Sequence, residues 1–269
     1  MSYDNDKEEE RCFAMIFFFS ATGNSKYVAE RIAAAIDDHL ISLRDAVRTR
    51  TYKYDVSNET RIGFVVPTYF FGLPSILQFF LNKLELTGYQ NQFVYLVLTC
   101  GSATGDAAGQ MAKALAEKEI TLSAQFAVPM VDNYIPMYKI VEKEEIEKKL
   151  DAAEEYIDEA RRAIRACSSG NYNRSRGAAP AAMTAVAYPM YASRRSTKPF
   201  VVTDACIGCG LCQEICACGA IELIEGKPTW KKSRCVQCLA CIHRCPSQAI
   251  HWKKPAENQG RYYNPRVEP

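Results

Sequence analysis

Apolar and polar positions alternate with two periods along the first two thirds of the chain. The stretch CFAMIFFFS, residues 12–20, is almost continuously apolar, which is the pattern of a strand buried on both faces. NSKYVAERIAAAI, 24–36, then spaces its apolar positions as one face of a helix. The alternation continues with HLISL (39–43), RIGFVVPTY (61–69), NQFVYLVLTC (91–100) and TLSAQFAVPM (121–130) as strands. PSILQFFLNKL (74–84), opened by Pro74, and GDAAGQMAKALAEKE (105–119) read as helices. A long helix over 142–167 closes the series, and its acidic part, 142–161, reads as a solvated face. Five strands separated by helices predict a parallel, doubly wound α/β sheet, with ligands at the carboxyl ends of its strands. Residues 168–200 form a linker whose first part, SSGNYNRSRGAAPAAM, reads as a loop.

The cysteines change the picture downstream. Of 12 in the chain, Cys12, Cys100 and Cys167 stand alone and nine lie between 206 and 245. CIGCGLCQEIC and CVQCLACIHRC repeat the same spacing 29 residues apart, and Ala220-Ile221 recurs as Ala249-Ile250. C-x2-C-x2-C-x3-C wraps three thiolates around one cubane cluster and sends the fourth to the other. One cluster should therefore take Cys206, Cys209, Cys212 and Cys245, and the second Cys235, Cys238, Cys241 and Cys216. Zinc knuckles space their cysteines differently. Cys218 aligns with Ser247 and is expected to be a packed thiol or a spare ligand. Gly208 and Gly210 let backbone amides approach sulfur.

Three strand ends carry candidate ligand loops. Ser20, Thr22, Gly23, Asn24 and Ser25 run from a strand into a helix, as a phosphate site or an ordinary N-cap would. The loop lacks both the P-loop ending and the G-x-G-x-x-G fingerprint. Pro67, Thr68, Tyr69, Phe70, Phe71 and Gly72 gather three aromatics at a strand end, which suits a flat ring. Thr99, Cys100, Gly101, Ser102 and Gly105 form a small, polar turn able to reach a ring edge. Asn133 and Tyr134, after the last strand, are candidates for covering a ring, with tertiary packing as the plainer role.

The three loops in this order resemble the flavodoxin family, whose phosphate loop [ST]-x-T-G-x-[ST] matches Ser20–Ser25. Residues 201–253 resemble bacterial ferredoxins with two 4Fe–4S clusters. Pro246 follows Cys245 as in that family, whereas Ala217 follows Cys216 where proline is usual. The combination resembles the flavodoxin–ferredoxin fusion proteins of anaerobic bacteria. The resemblance implies a flavodoxin-like, doubly wound five-stranded parallel sheet over 1–167, the linker over 168–200, and an α+β ferredoxin domain with a C-terminal tail over 201–269. It also implies FMN, two 4Fe–4S clusters, and electron transfer that couples one- to two-electron chemistry.

Charge and context sharpen the functional classes. Residues 1–170 carry 19 Lys/Arg against 25 Asp/Glu, and 171–269 carry 14 against 6. This asymmetry suggests electrostatic docking of the two parts, solvated linker charge, or a dock for an acidic partner. The basic residues are too scattered for a nucleic-acid footprint. The acidic start lacks a signal-peptide layout and no apolar run spans a bilayer, so a cytoplasmic, membrane-free protein is expected. No side-chain set for hydrolysis or nucleophilic catalysis is evident, so no catalytic residue is assigned, and His39, His243 and His251 form no constellation. Of the acids, only Asp106 lies near the loops, which predicts a flavin whose fully reduced potential is little depressed. The leading expectation is a shuttle between an external redox protein donor and acceptor. The alternatives are an iron–sulfur flavin reductase with a small-molecule acceptor and a non-catalytic redox sensor or docking ferredoxin.

Overall fold

The computed structural model describes residues 13–34, 39–253 and 260–268. The acidic start, Cys12 and the end of the helix expected over 24–36 lie outside them. In chain order the elements are β1 (Phe13–Phe18), α1 (Asn24–Ala33), β2 (His39–Ser42), α2 (Leu43–Thr49), β3 (Lys53–Asp55), β4 (Glu59–Pro67), α3 (Ser75–Lys83), β5 (Glu85–Thr87), β6 (Phe93–Cys100), α4 (Ala107–Ala116), β7 (Ala124–Pro129) and α5 (Lys143–Arg165). They are followed by β8 (Gly170–Asn171), α6 (Pro180–Arg194), β9 (Phe200–Val202), α7 (Leu211–Glu214), β10 (Ile221–Ile224), β11 (Lys227–Trp230), α8 (Ala240–His243) and β12 (Ile250–Trp252).

The main sheet is parallel, in the order β2-β1-β4-β6-β7-β8. Its five longer strands are those expected from sequence. The sixth, β8, adds two residues beside Ala124 and Gln125 at the edge. The apolar run of β6 divides by the two-residue period of a strand. Val94, Leu96 and Leu98 face α2, α3 and α4, while Phe93, Tyr95 and Val97 face α1 and α5. Burial on both faces explains why the strand shows no polar alternation. Chain order reverses between β1 and β4, so the loops that follow them open a crevice at the sheet's carboxyl edge. Sequence periodicity missed α2 and the short parallel pair β3–β5, because elements of three to seven residues give too few periods to read.

The cysteine module is α+β. β10–β11 is a hairpin, and β9 pairs antiparallel with β12. α7 and α8 lie inside the two cysteine motifs at matching places, each carrying its motif's third cysteine, as the internal repeat requires. Its core joins Ile221, Ile242, Ile250 and Trp252 to Ile135 of the sheet body. Ala217 and Val236 are buried in the apolar layer that contains Leu73 and Ile76. The two parts therefore meet through apolar contact at these positions.

The reading of the linker's first part as a loop holds up to Ala179, apart from β8, and needs correction beyond it. Residues 180–194 are helical, with Pro180 in the first turn. Alanine-rich composition favours a helix, and tertiary bonds hold it despite the internal Pro189. Thr184 Oγ1 donates to the Phe71 carbonyl (2.6 Å) and accepts from Asp106 N–H (2.8 Å). The Tyr191 hydroxyl donates to the Val236 carbonyl (2.7 Å) and accepts from Ser75 N–H (3.1 Å). Tyr191→Phe removes that hydroxyl from a buried site and is expected to lower stability by about 1–3 kcal/mol. Denaturant unfolding of the full chain measures it, and an unchanged midpoint would show that the hydroxyl does not brace the junction.

Candidate functional site

A cavity of about 240 Å³ opens at the carboxyl edge of the sheet. The loops after β1, β4, β6 and β7 line it, together with α6 and residues 237–239 of the second cysteine motif. The structure brings Ser20, Thr22, Asn24, Ser25, Pro67, Thr68, Tyr69, Phe70, Phe71, Thr99, Cys100, Gly101 and Ser102 to its wall. Gly23, Gly72 and Gly105 do not line it. They bring backbone close to neighbours instead: a Cβ on Gly72 would meet the Tyr188 ring at 2.3 Å, and one on Gly105 would meet Phe71 Cβ at 2.5 Å.

The first loop leads into the amino end of α1. Gly23, at φ +91°, caps α1 in a conformation other residues resist. The first intrahelical bond runs from Tyr27 N–H to the Gly23 carbonyl, so the N–H groups of Asn24, Ser25 and Lys26 are free of helical partners. Lys26 does not supply charge to the cavity. Its Nζ donates to the Glu268 carbonyl (2.8 Å) and pairs with Glu30 (3.6 Å). Asn133 Nδ2 donates to Thr22 Oγ1 (2.7 Å), and Ser25 Oγ shares a hydrogen bond with Thr99 Oγ1 (2.7 Å).

The second loop is a tight turn, closed by mutual hydrogen bonds between Tyr69 and Gly72 at 2.9 and 3.0 Å. Its two central residues, Phe70 and Phe71, both have positive φ, at 50° and 59°. Two aromatics in the left-handed region are strained, and together with Tyr69 they line the cavity. Phe70 stacks on Tyr191 and meets Tyr134 edge-on. The acid at the cavity is Asp132, whereas Asp106 is not part of its wall and faces Arg176 at 3.9 Å. Asp132 also adds to burial, the larger cause, in raising the Cys100 thiol to about 12.

The residues 260–268, to which the sequence reading gave no role, cover the first strand-end loop. Asn264 N–H donates to the Thr22 carbonyl (2.8 Å), and the Tyr262 hydroxyl donates to Asn24 Oδ1 (2.6 Å). Arg266 pairs with Glu147 (3.0 Å), so part of the acidic helix face is a dock rather than a solvated surface. His243 joins the pieces. Its Nδ1 accepts from Tyr262 N–H (3.2 Å), which leaves Nε2 to donate to the Asn133 carbonyl (2.9 Å). Burial lowers its pKa to about 4, consistent with a neutral ring.

The cysteines form two interlaced sets. A small second cavity is lined by Cys206, Cys209, Cys212 and Cys245. Burial first, and then the nearness of Cys245, Cys209 and Cys206, raise Cys212 to about 11. Cys241 is raised by burial and then by Cys238, Cys216 and Cys235. Backbone N–H groups of Ala220, Ala249 and Gln237 donate to the sulfurs of Cys216, Cys245 and Cys235 at 3.1, 3.3 and 3.2 Å. A hydrogen bond between Cys216 and Cys218 is the chief cause that lowers the first thiol and raises the second. Ser247 takes the matching place beside Cys245, at 3.7 Å. Among the described residues no three His, Cys, Asp or Glu side chains gather tightly enough to hold a single ion.

The family model described as Flavodoxin domain matches residues 15–158, more than half of the chain. The chain belongs to the flavodoxin domain family. A second model, 4Fe-4S dicluster domain, matches residues 205–249, so the chain joins a flavodoxin domain to a ferredoxin-type domain. An uncharacterized polyferredoxin-like protein of Methanocaldococcus jannaschii is 42% identical over 52 residues, covering 19% of this chain and 22% of that protein. This chain therefore matches about a fifth of that relative's length. Among solved structures, Megasphaera elsdenii flavodoxin is similar over 42% of this chain and 84% of its own, at 19% identity and TM-score 0.34. The NAD(P)H:quinone oxidoreductase of Methanothermobacter marburgensis is similar over 59% and 96%, at 11% identity and TM-score 0.39.

A flavodoxin domain implies a flavin, and a dicluster domain implies 4Fe–4S chemistry. The residues fit both groups. The cavity offers aromatic walls, and the buried Thr68 Oγ1 on its lining has no hydrogen-bond partner. The cysteine sets offer thiols with backbone donors already aimed at sulfur. Among the described residues no helix is long and apolar enough to cross a membrane.

His243→Leu would strand the Tyr262 N–H and take one of two donors from the Asn133 carbonyl, which keeps the Ile135 N–H at 2.9 Å. It is expected to cost about 1–3 kcal/mol for the group left unpaired and to release residues 260–268. Limited proteolysis within 260–268 should quicken, and an unchanged cleavage rate would show that His243 does not hold this segment.

Proposed function

We propose that this chain relays electrons between two 4Fe–4S clusters and FMN, and so couples one- to two-electron chemistry. One observation carries the reading: Cys238 of the second cysteine motif lies on the wall of the same cavity as the three strand-end loops. A cluster held by Cys216, Cys235, Cys238 and Cys241 would then sit against the flavin with no intervening domain. The set Cys206, Cys209, Cys212 and Cys245 would form the outer cluster. Its loop is the open one, with Cys209 exposed and Ile207 68% exposed, against 3% for the equivalent Val236. An external redox protein would dock there, and the chain would work in the cytoplasm, where thiols stay reduced.

FMN supplies two-electron capacity taken up one electron at a time. The chain's own residues do the rest. The α1 end and Thr22, Asn24 and Ser25 would hold the phosphate. Tyr69, Phe70 and Tyr134 would wall the ring from water. Burial and backbone donors would hold the clusters in place.

Anaerobically purified full-length chain is expected to carry about one FMN and about eight irons. Cys241→Ala should keep the flavin, fall to about four irons, and slow flavin reduction by an external one-electron donor. Iron without flavin would end the relay reading. Steady oxidation by a small-molecule acceptor, with no acceptor protein present, would move the function to an iron–sulfur flavin reductase.

A further inference from the structure

The two cysteine loops are copies of one unit, and they differ where the flavin cavity begins. Both loops need positive φ at the third and fifth positions. The first loop uses Gly208 (φ 68°) and Gly210 (φ 81°), where the left-handed region carries no penalty. The second has Gln237 (φ 57°) and Leu239 (φ 60°) at the same positions. Residues with a Cβ resist this conformation, so the second loop carries strain that the first avoids. Both replacements line the cavity. Gln237 is 3% exposed, and neither its Oε1 nor its Nε2 has a hydrogen-bond partner. A buried amide with a donor and an acceptor both unmet is destabilising, and glycine would relieve both faults at once.

From this we infer that the Gln237 side chain hydrogen-bonds the polar edge of the bound flavin, so that the second cysteine loop forms part of the flavin's binding wall. The inference rests on the flavin reading above. An amide suits the ring because the ring's edge presents both N–H and C=O groups. Leu239, 3% exposed, supplies an apolar surface beside it. Thr68 Oγ1, a further unpartnered polar atom on the lining, belongs to the sheet body. Flavin binding would thus draw on both domains, and the loop that holds the inner cluster would sense the flavin directly. Gln237 is in this sense a positioning residue, acting on flavin affinity and potential.

The test compares wild type, Gln237→Gly and Gln237→Leu in the cluster-loaded full chain, titrated with FMN after the flavin has been removed. Gln237→Gly installs the residue of the first loop. It is expected to keep its iron, to melt no lower than wild type without flavin, and to bind FMN about tenfold more weakly, the equivalent of about 1.4 kcal/mol. Gln237→Leu retains the strained backbone and loses the amide, so the same loss of FMN affinity is expected. The flavin's reduction potential should shift in both variants while the cluster signals stay in place. FMN affinity and flavin potential equal to wild type in both variants would overturn the inference and leave the flavin reading intact. Loss of iron in Gln237→Gly would also overturn it, because the side chain would then serve the cluster loop. A wild-type chain that takes up no FMN would overturn the inference together with the reading beneath it.

Discussion

The buried hydroxyl of Tyr191 meets the Val236 carbonyl and the Ser75 N–H, so that α6, the second cysteine loop and the start of α3 converge on one oxygen. Its ring also touches Tyr69 and Phe70, the aromatics of the second strand-end loop. The cavity therefore depends on a helix that belongs to neither end domain. A flexible tether would raise one domain's local concentration near the other. α6 goes further, because it fixes which loop of the cysteine module faces the sheet. Arg195 adds to this by donating from Nε to the Cys235 carbonyl (2.9 Å).

This arrangement bears on the charge asymmetry in the sequence. Two of the basic residues that follow position 170 meet acids of α5. Arg174 reaches Glu159 (2.6 Å) and Arg266 reaches Glu147 (3.0 Å), both across exposed or partly exposed surface where ion pairs contribute little. The junction of the domains holds Ala217, Val236 and Tyr191, which are buried and apolar in contact. Opposite charge is thus a property of the flanks, and shape at the junction comes from packing and a few buried hydrogen bonds. Ala217, where proline is usual in ferredoxins, is one of those packed positions.

The main sheet was legible because its strands and helices are long enough to show a period, and the eight expected ligand cysteines fall into the two interlaced sets because a duplicated spacing constrains them. Thirteen strand-end residues could be assembled from loop order alone. The rest was hidden for physical reasons. α6 was masked by its Ser-, Asn- and Gly-rich approach, although Pro180 before an alanine-rich run is a helix-start signal. The tail at 260–268 and His243 act through single long-range hydrogen bonds, which leave no periodic trace. Asp132 and Asp106 could not be told apart without the turn that brings Asp132 beside Gly101. Gln237 was in plain view as a departure from the glycine of the first loop, but its meaning depends on which loop faces the cavity.

Duplication gives two equivalent loops, and the fold then treats them unequally. The first keeps its glycines and an exposed Ile207, so its surroundings are solvent and its own hairpin. The second is pressed between α6 and the strand-end loops, with Val236, Gln237 and Leu239 all buried. Burial in a low-dielectric setting disfavours added negative charge, whereas an open loop can share it with water. Two identical clusters set in these two loops would therefore not be equivalent in potential. The difference would come from the neighbours of each loop, since the spacing of the ligands is the same in both.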